Sequence, residues 1–260
     1  MRLTWTYFRL CIKEALQYRV NFIFYVISIA PIHLVQMVFS WFIAKRFSGF
    51  NSWTGWNLIF LYALLLVSYG IAQLFARRFR YLEEDIISGN LDVHFTKPLP
   101  ILYILMFRYL AITPMISQLF PPIVIFIISC FYNSIQWNLT KVLVLVGAIF
   151  GGAVIQMSIF LLIGAVAFWT TRSSSLEDIF FAFKDFLNYP LNVYGKKVLA
   201  FLTYIFPLAF VNYYPCVYIL EKEGSENILN FLTVPVAIVM TVISLLVWKV
   251  SLAHYNSTGS

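Results

Sequence analysis

The chain has 260 residues, 61% of them hydrophobic and only 11% charged, with a mean hydropathy of +0.83 and a formal net charge of +7. A soluble globular domain carries about 25% charged residues, so a chain this poor in charge lacks a polar skin for water on every side and is expected in lipid. The basic residues lie beside apolar runs, which points to membrane orientation and anionic lipid rather than to nucleic acid.

The first twenty residues carry a polar stripe of Arg2, Thr6, Arg9, Lys13 and Gln17 opposite Leu3, Trp5, Phe8, Ile12 and Leu16. A cationic amphipathic helix ahead of an apolar run reads as lying in the membrane interface. A solvated extension of the first span is the other reading of the stripe. The first apolar run begins only near Asn21 and is too long for the core of a cleavable leader, so it is expected to remain as a span.

About 20 apolar residues cross the hydrocarbon core as a helix. In lipid the backbone must satisfy its own hydrogen bonds, and these continuous runs lack the alternation of a β-barrel. Six runs qualify: residues 21–44, 57–76, 111–132, 142–170, 198–220 and 228–250. The fold class is thus an all-α integral membrane protein, a single transmembrane domain with a short tail at 251–260.

Between the second and third runs lies the most polar segment, RRFRYLEEDIISGNLDVHFTKPLP, residues 77–100. It opens with helix formers, Gly89 is placed as a C-terminal cap, and Lys97-Pro98-Leu99-Pro100 stops any helix. The apolar stretch 101–132 would measure about 48 Å as one helix, so Pro114, Pro121 and Pro122 are expected to break or kink it. A second short amphipathic element is predicted at 176–188. Leu176, Ile179, Phe180, Phe183 and Leu187 share one face, and Glu177, Asp178, Lys184, Asp185 and Asn188 mostly share the other.

With a cytoplasmic N-terminus, the inside segments hold 13 Lys and Arg residues: Arg2, Arg9, Lys13, Arg19, Arg77, Arg78, Arg80, Lys97, Arg172, Lys184, Lys196, Lys197 and Lys249. The outside loops hold 4: Lys45, Arg46, Lys141 and Lys222, with Arg108 near a helix end left uncounted. The positive-inside rule places both termini and the loops 77–100 and 171–197 in the cytoplasm.

Cys11, Cys130 and Cys216 form no CxxC or Cys/His cluster, so free thiols are expected and no metal site. All eleven acidic residues fall outside the six predicted spans, leaving His33 as the clear ionisable group within one. That disfavours an ion-coupled carrier, which places an ionisable partner at membrane depth. There is no GxxxxGK[ST] loop, no HExxH and no evident Ser/His/Asp set, so the chain is not expected to be an enzyme. Gln36, Gln118 and Gln156, with His33, could line a pathway or hydrogen-bond between helices. Pro207, Tyr213, Tyr214 and Pro215 could shape an outer gate, or the tyrosines could form an interfacial belt. Gly147-xxx-Gly151 and Ala148-xxx-Gly152 permit close helix approach, within the chain or to another copy.

Several short motifs carry a resemblance. They are Asp85-Ile86, Gly89, Leu91-Asp92 and Lys97-Pro98-Leu99, then Tyr189-Pro190-Leu191, Phe206-Pro207-Leu208-Ala209-Phe210-Val211-Asn212-Tyr213-Tyr214-Pro215, and the ending Tyr255-Asn256-Ser257-Thr258-Gly259-Ser260. In order and spacing they resemble the bacterial ABC exporter permeases of the ABC-2-like superfamily, in a branch long labelled a domain of unknown function. One departure is the second proline of the loop, which comes a position early at Pro100.

The resemblance implies the membrane half of an ATP-driven exporter in the inner (plasma) membrane. A separate cytoplasmic ATPase would hold ATP and Mg, and a second permease chain, identical or related, would complete the unit. It also implies that loop 77–100 couples to the ATPase. Glu83, Glu84 and Asp85 would supply charge, Ile86, Ile87 and Leu91 contact area, and Gly89 the turn, with Asp92, Lys97 and Pro98 bounding it. The cargo would be amphipathic or hydrophobic. The alternatives are an ion-coupled secondary transporter or channel subunit, and a membrane scaffold without transport.

Overall fold

The computed structural model describes residues 9, 12–13, 19–46, 52–110, 112–170 and 173–255. The predicted interfacial helix at 1–20 lies almost wholly outside the described residues, as does 256–260 of the tail. Regular structure among the described residues is entirely helical. The α-helices are α1 (Arg19–Arg46), α2 (Gly55–Ala76), α3 (Leu82–Ile87), α4 (Asp92–Phe95), α5 (Ile101–Phe107), α6 (Ile112–Tyr132), α7 (Leu139–Thr170), α8 (Ser174–Phe186), α9 (Lys196–Ala200), α10 (Tyr213–Ile219) and α11 (Thr233–Ala253). A 3₁₀ turn, Arg77–Tyr81, joins α2 to α3, and α9 runs on into a π turn, Phe201–Ile205.

Among the described residues, four helical stretches are long and apolar enough to cross a bilayer: Ile27–Arg46, Gly55–Ile87, Leu139–Thr170 and Thr233–Ala253. Lys196–Ile205 and Leu208–Ile219 form a pair bent by 89° that counts as a fifth if taken as one span. Gln118–Tyr132 within α6 is a shorter apolar helix.

The centre of the bundle is α2, which is buried along nearly its whole length. Thr54 and Asn57 start it with a reciprocal capping box, each side chain accepting from the other's backbone N–H. Against it packs α7, where small residues set the spacing. A Cβ added at Gly152 would lie 3.1 Å from the Val211 carbonyl and 3.3 Å from Ser68 Cβ, and one at Gly151 3.0 Å from Thr233. These glycines therefore serve packing within the chain. By contrast α1 leans on α2 through a His33–Tyr62 hydrogen bond of 2.9 Å and an edge-on Trp41–Trp56 contact, while Phe24, Val35 and Phe42 remain exposed.

Three segments depart from their predicted course. The break before the third span falls between Phe107 and Ile112, ahead of the prolines. Pro114 sits in the first turn of α6, where an N–H has no helical partner to lose, and Pro121 and Pro122 lie inside a continuous helix. The predicted span 198–220 is not straight but bends at Phe206-Pro207. Tyr213 and Tyr214 are then buried rather than set in a surface belt.

The third departure is α8. Predicted to lie outside the bundle, it runs antiparallel to α2 and climbs along it. Near its start Glu177 pairs with Arg80. Further on, the Lys184 ammonium sits 4.5 Å over the Tyr69 ring. Just past its end, the Asn212 amide donates both to the Leu187 carbonyl (2.9 Å) and to the Leu61 carbonyl (3.1 Å). The C-terminal part of the apolar stripe explains this course, while Leu176 and Ile179 of the predicted face stay exposed. Phe180 and Leu187 are fully buried, with Phe180 edge-on to Phe160 of α7 at 4.8 Å. Burying side chains of this size stabilises by about 1.5–3 kcal/mol each.

Candidate functional site

Loop 77–100 closes one end of the bundle, and its residues divide into an inward set, a braced set and an exposed rim. The inward set is Asp85, Ile86, Gly89 and Leu91. Ile86 and Leu91, expected to supply contact area to a partner, join the core of this chain with Phe79 and Leu82. Their seat depends on a glycine of α7 that the sequence reading did not single out. A Cβ at Gly164 would stand 2.7 Å from Leu82 Cδ1 and 2.8 Å from the Phe79 carbonyl oxygen. Gly89 adopts φ +71°, the left-handed conformation that ends α3. The chain then reverses, and the Leu91 N–H donates to the Asp85 carbonyl at 3.0 Å.

Asp85 is buried, and Arg78 pairs with it. Burial pushes the Asp85 carboxyl up, and the guanidinium opposes that shift. Arg78 also lies 4.4 Å over the Tyr109 ring. His94 is held between the Tyr109 hydroxyl, 3.2 Å from Nε2, and the Lys97 ammonium, which donates to Nδ1 at 3.4 Å. Burial first, then the charges of Arg108 and Arg78, lower its pKa.

The braced residues tie this end to two distant parts of the chain. Glu83 accepts from the backbone N–H groups of Ser173 (2.5 Å) and Ser174 (2.8 Å), so its carboxylate caps the N-terminus of α8. Arg80 donates two hydrogen bonds to one carboxylate oxygen of Glu177, one turn into the same helix, with its Nε at 2.7 Å. On the other side, the Tyr255 hydroxyl donates to Asp92 at 2.7 Å, and its ring stacks on Phe95 at 5.1 Å and edge-on to Phe168 of α7. The exposed rim is Glu84, Ile87, Ser88, Asn90, Val93, Phe95, Thr96, Pro98 and Pro100. Of the predicted loop residues, only Glu84, Ile87 and Pro98 belong to it.

The predicted pathway residues separate. His33 and Gln36 come together: His33 meets Tyr62, and the Gln36 amide donates to the Tyr189 hydroxyl at 3.2 Å. Gln156 is fully buried and donates to Ser68 (2.9 Å), an interhelical bond rather than a cavity lining. Gln118 lies half-buried on α6, elsewhere in the bundle. Of the predicted gate residues, Pro207 sits at the bend, while Tyr213, Tyr214 and Pro215 open α10 inside the core. Pro215 falls in the first turn, so no helical bond is lost. Tyr214 meets the Thr203 hydroxyl at 2.9 Å across the bend. The sequence reading missed Asn212 as a bridge and Arg80 and Glu177 as a pair. The first could have been sought because a polar residue between apolar runs needs partners.

At the opposite end, Lys141 is buried and donates to Glu221 at 2.6 Å, joining the start of α7 to the turn after α10. That contact holds the Glu221 carboxyl below the usual range.

Comparison with curated proteins and with solved structures finds no match. A family model described as ABC-2 family transporter protein matches residues 22–259. That match takes in every helix of the bundle and the whole of loop 77–100, and the chain therefore belongs to the ABC-2 transporter family of membrane proteins.

Proposed function

We propose that the chain is the membrane-spanning subunit of an ATP-driven exporter, crossing the inner membrane six times with both termini and loop 77–100 in the cytoplasm. A separate ATPase, carrying ATP and Mg, docks on that loop, and a second permease chain completes the unit. The sixth crossing is α6, and the bent pair is the fifth in chain order.

One observation carries the reading. The loop is fastened inward to α7 and α8 yet presents an exposed rim of Glu84, Ile87, Val93 and Phe95. An element anchored on one side and free on the other can pass a push from a partner into the bundle. The Glu83 cap and the Arg80–Glu177 pair would carry that push into α8, and Tyr255 would steady the loop from the last span.

The test is the double substitution Glu84→Lys with Ile87→Glu. Exposed positions contribute little to stability, so the bundle should stay folded. Binding to the ATPase should fall at least tenfold in a pull-down, and coupled ATP hydrolysis should fall with it. Wild-type binding and export by the double variant would remove loop 77–100 from the interface. Cysteines introduced at the exposed Asn90 and at Gly224 check orientation. An impermeant thiol reagent added outside should reach position 224 and miss position 90, and reagent that enters opened cells should reach position 90.

A further inference from the structure

The climb of α8 carries two charged residues to a depth where acyl chains cannot solvate them. The Lys184 ammonium lies over Tyr69, and Asn212 ties the Leu187 carbonyl to that of Leu61, so Asp185 lies level with α2 between Tyr69 and Leu61. At 1.5 Å per residue, that stretch is about 9 Å or more from either end of α2. The two charges meet different surroundings. The Lys184 ammonium is turned onto aromatic rings, 4.5 Å from the Tyr69 centroid and 5.8 Å from that of Phe181. Asp185 stays exposed on the surface of the protomer, and its carboxylate forms no ion pair or side-chain hydrogen bond among the described residues.

A carboxylate facing lipid is expensive, and residues of this kind within a membrane face a polar cavity or a partner. What surrounds Asp185 favours a ligand. The next residue, Phe186, accepts the Tyr189 backbone N–H at 3.4 Å and meets the Tyr194 ring, so both tyrosines gather beside Asp185. Tyr189 and Tyr194 are half-buried, leaving part of each ring open. The Gln36 amide holds the Tyr189 hydroxyl, and Phe186 packs edge-on to Tyr194 at 4.9 Å, so both rings are positioned. His33, bound to Tyr62 through Nδ1, keeps its Nε2 buried without a partner. A carboxylate bordered by tyrosine rings is the chemistry that recognises an organic cation, through charge and through the negative faces of the rings. One helical step round from His33, Gln36 and Ser40, α1 exposes Ile32, Val35 and Phe39, an apolar track beside the polar seam.

We propose that Asp185, with Tyr189 and Tyr194, forms a membrane-embedded site for the cationic group of an amphipathic substrate, whose apolar remainder lies along α1. The site deepens the exporter reading and rests on it for the direction of movement, but binding itself does not depend on an ATPase.

Tetraphenylphosphonium and tetraphenylborate have the same shape and opposite charge. Each is titrated against the purified permease in nanodiscs, with empty nanodiscs subtracted. The phosphonium should bind wild type at least tenfold more tightly than Asp185→Asn, while Asp185→Glu stays within threefold and borate binding changes less than twofold. Equal phosphonium affinity in wild type and Asp185→Asn overturns the site. So does a preference for the borate that Lys184→Gln abolishes, which would assign the seam to anions. Dissociation of the permease dimer in Asp185→Asn would instead place the carboxylate in an ion pair between subunits and also overturn it. ATP hydrolysis with the partner ATPase is followed in parallel. Charge-selective binding without stimulation upholds the site and defeats the exporter reading, whereas stimulation without the Asp185 dependence does the reverse.

Discussion

Loop 77–100 and the segment 173–188 look alike as sequence: each is polar, and each contains a short amphipathic helix between apolar runs. They end in different places. The loop stays at one end of the bundle and turns Ile86 and Leu91 inward beneath an exposed rim. The other segment threads along α2 and turns Phe180 and Leu187 inward, leaving Asp185 exposed beside the middle of that helix. The difference lies in the apolar face. At the loop, two glycines confine that face to one patch: Gly89 within it reverses the chain, and Gly164 of α7 admits Leu82. In α8 the buried part of the stripe runs from Phe180 to Leu187 and lies along other helices.

The largest expected effect sets the two regions directly against each other. Phe180→Ala should destabilise the bundle by about 3–5 kcal/mol, the cost of a cavity at a fully buried aromatic. Phe95→Ala on the rim should cost about 1 kcal/mol or less, since that ring is nearly half exposed. Thermal unfolding in one detergent compares them. Equal and small losses would return α8 to the outside of the bundle.

Next comes Gly164→Ala. Its Cβ would meet the Phe79 carbonyl at 2.8 Å, a backbone atom that cannot swing aside, so about 1–3 kcal/mol should be lost. Hydrogen exchange should quicken at amides 86–91 and stay unchanged at 180–187. Uniform acceleration across both segments would mean that the two are not separately seated.

Tyr255→Phe removes one hydrogen bond to Asp92 and keeps the ring stacked on Phe95. About 1 kcal/mol of local stability should go, read as faster exchange at 92–97. Tyr255→Ala should do more than Tyr255→Phe. If the two behave alike, the stacking contributes nothing to the brace.

The smallest effect is a pH dependence confined to the loop. Folded His94 has a lowered pKa, by burial and by Arg108 and Arg78, whereas the unfolded imidazole titrates near 6.5. As pH falls below about 6.5, the unfolded chain therefore binds more protons than the folded one, and stability drops until the lowered folded value is reached. Above that window both forms are neutral and the term vanishes. Protection at 92–97, corrected for the pH dependence of intrinsic amide exchange, should fall between pH 7.5 and 5.5 in wild type and respond less in His94→Asn.

Much of this molecule follows from sequence alone, because solvation acts residue by residue. A chain with so little charge must be helical in lipid, and the apolar lengths locate most of its spans. The left-handed turn at Gly89 was also legible, since a glycine placed after helix formers and before a helix-stopping Lys-Pro run has few other uses. What tertiary structure alone decided is which surface each polar side chain meets. Periodicity shows that Asp85, Ile86 and Leu91 lie near one another, but only the groove opened by Gly164, about eighty positions further along the chain, turns them inward. Likewise the stripe on α8 announces a buried face without naming its partner. Tyr69, Phe160 and Leu61 supply that partner from two other helices, and such long-range contacts leave no trace in local pattern. The same docking sets Asp185 alongside the middle of α2, a position that its own stretch of sequence does not announce.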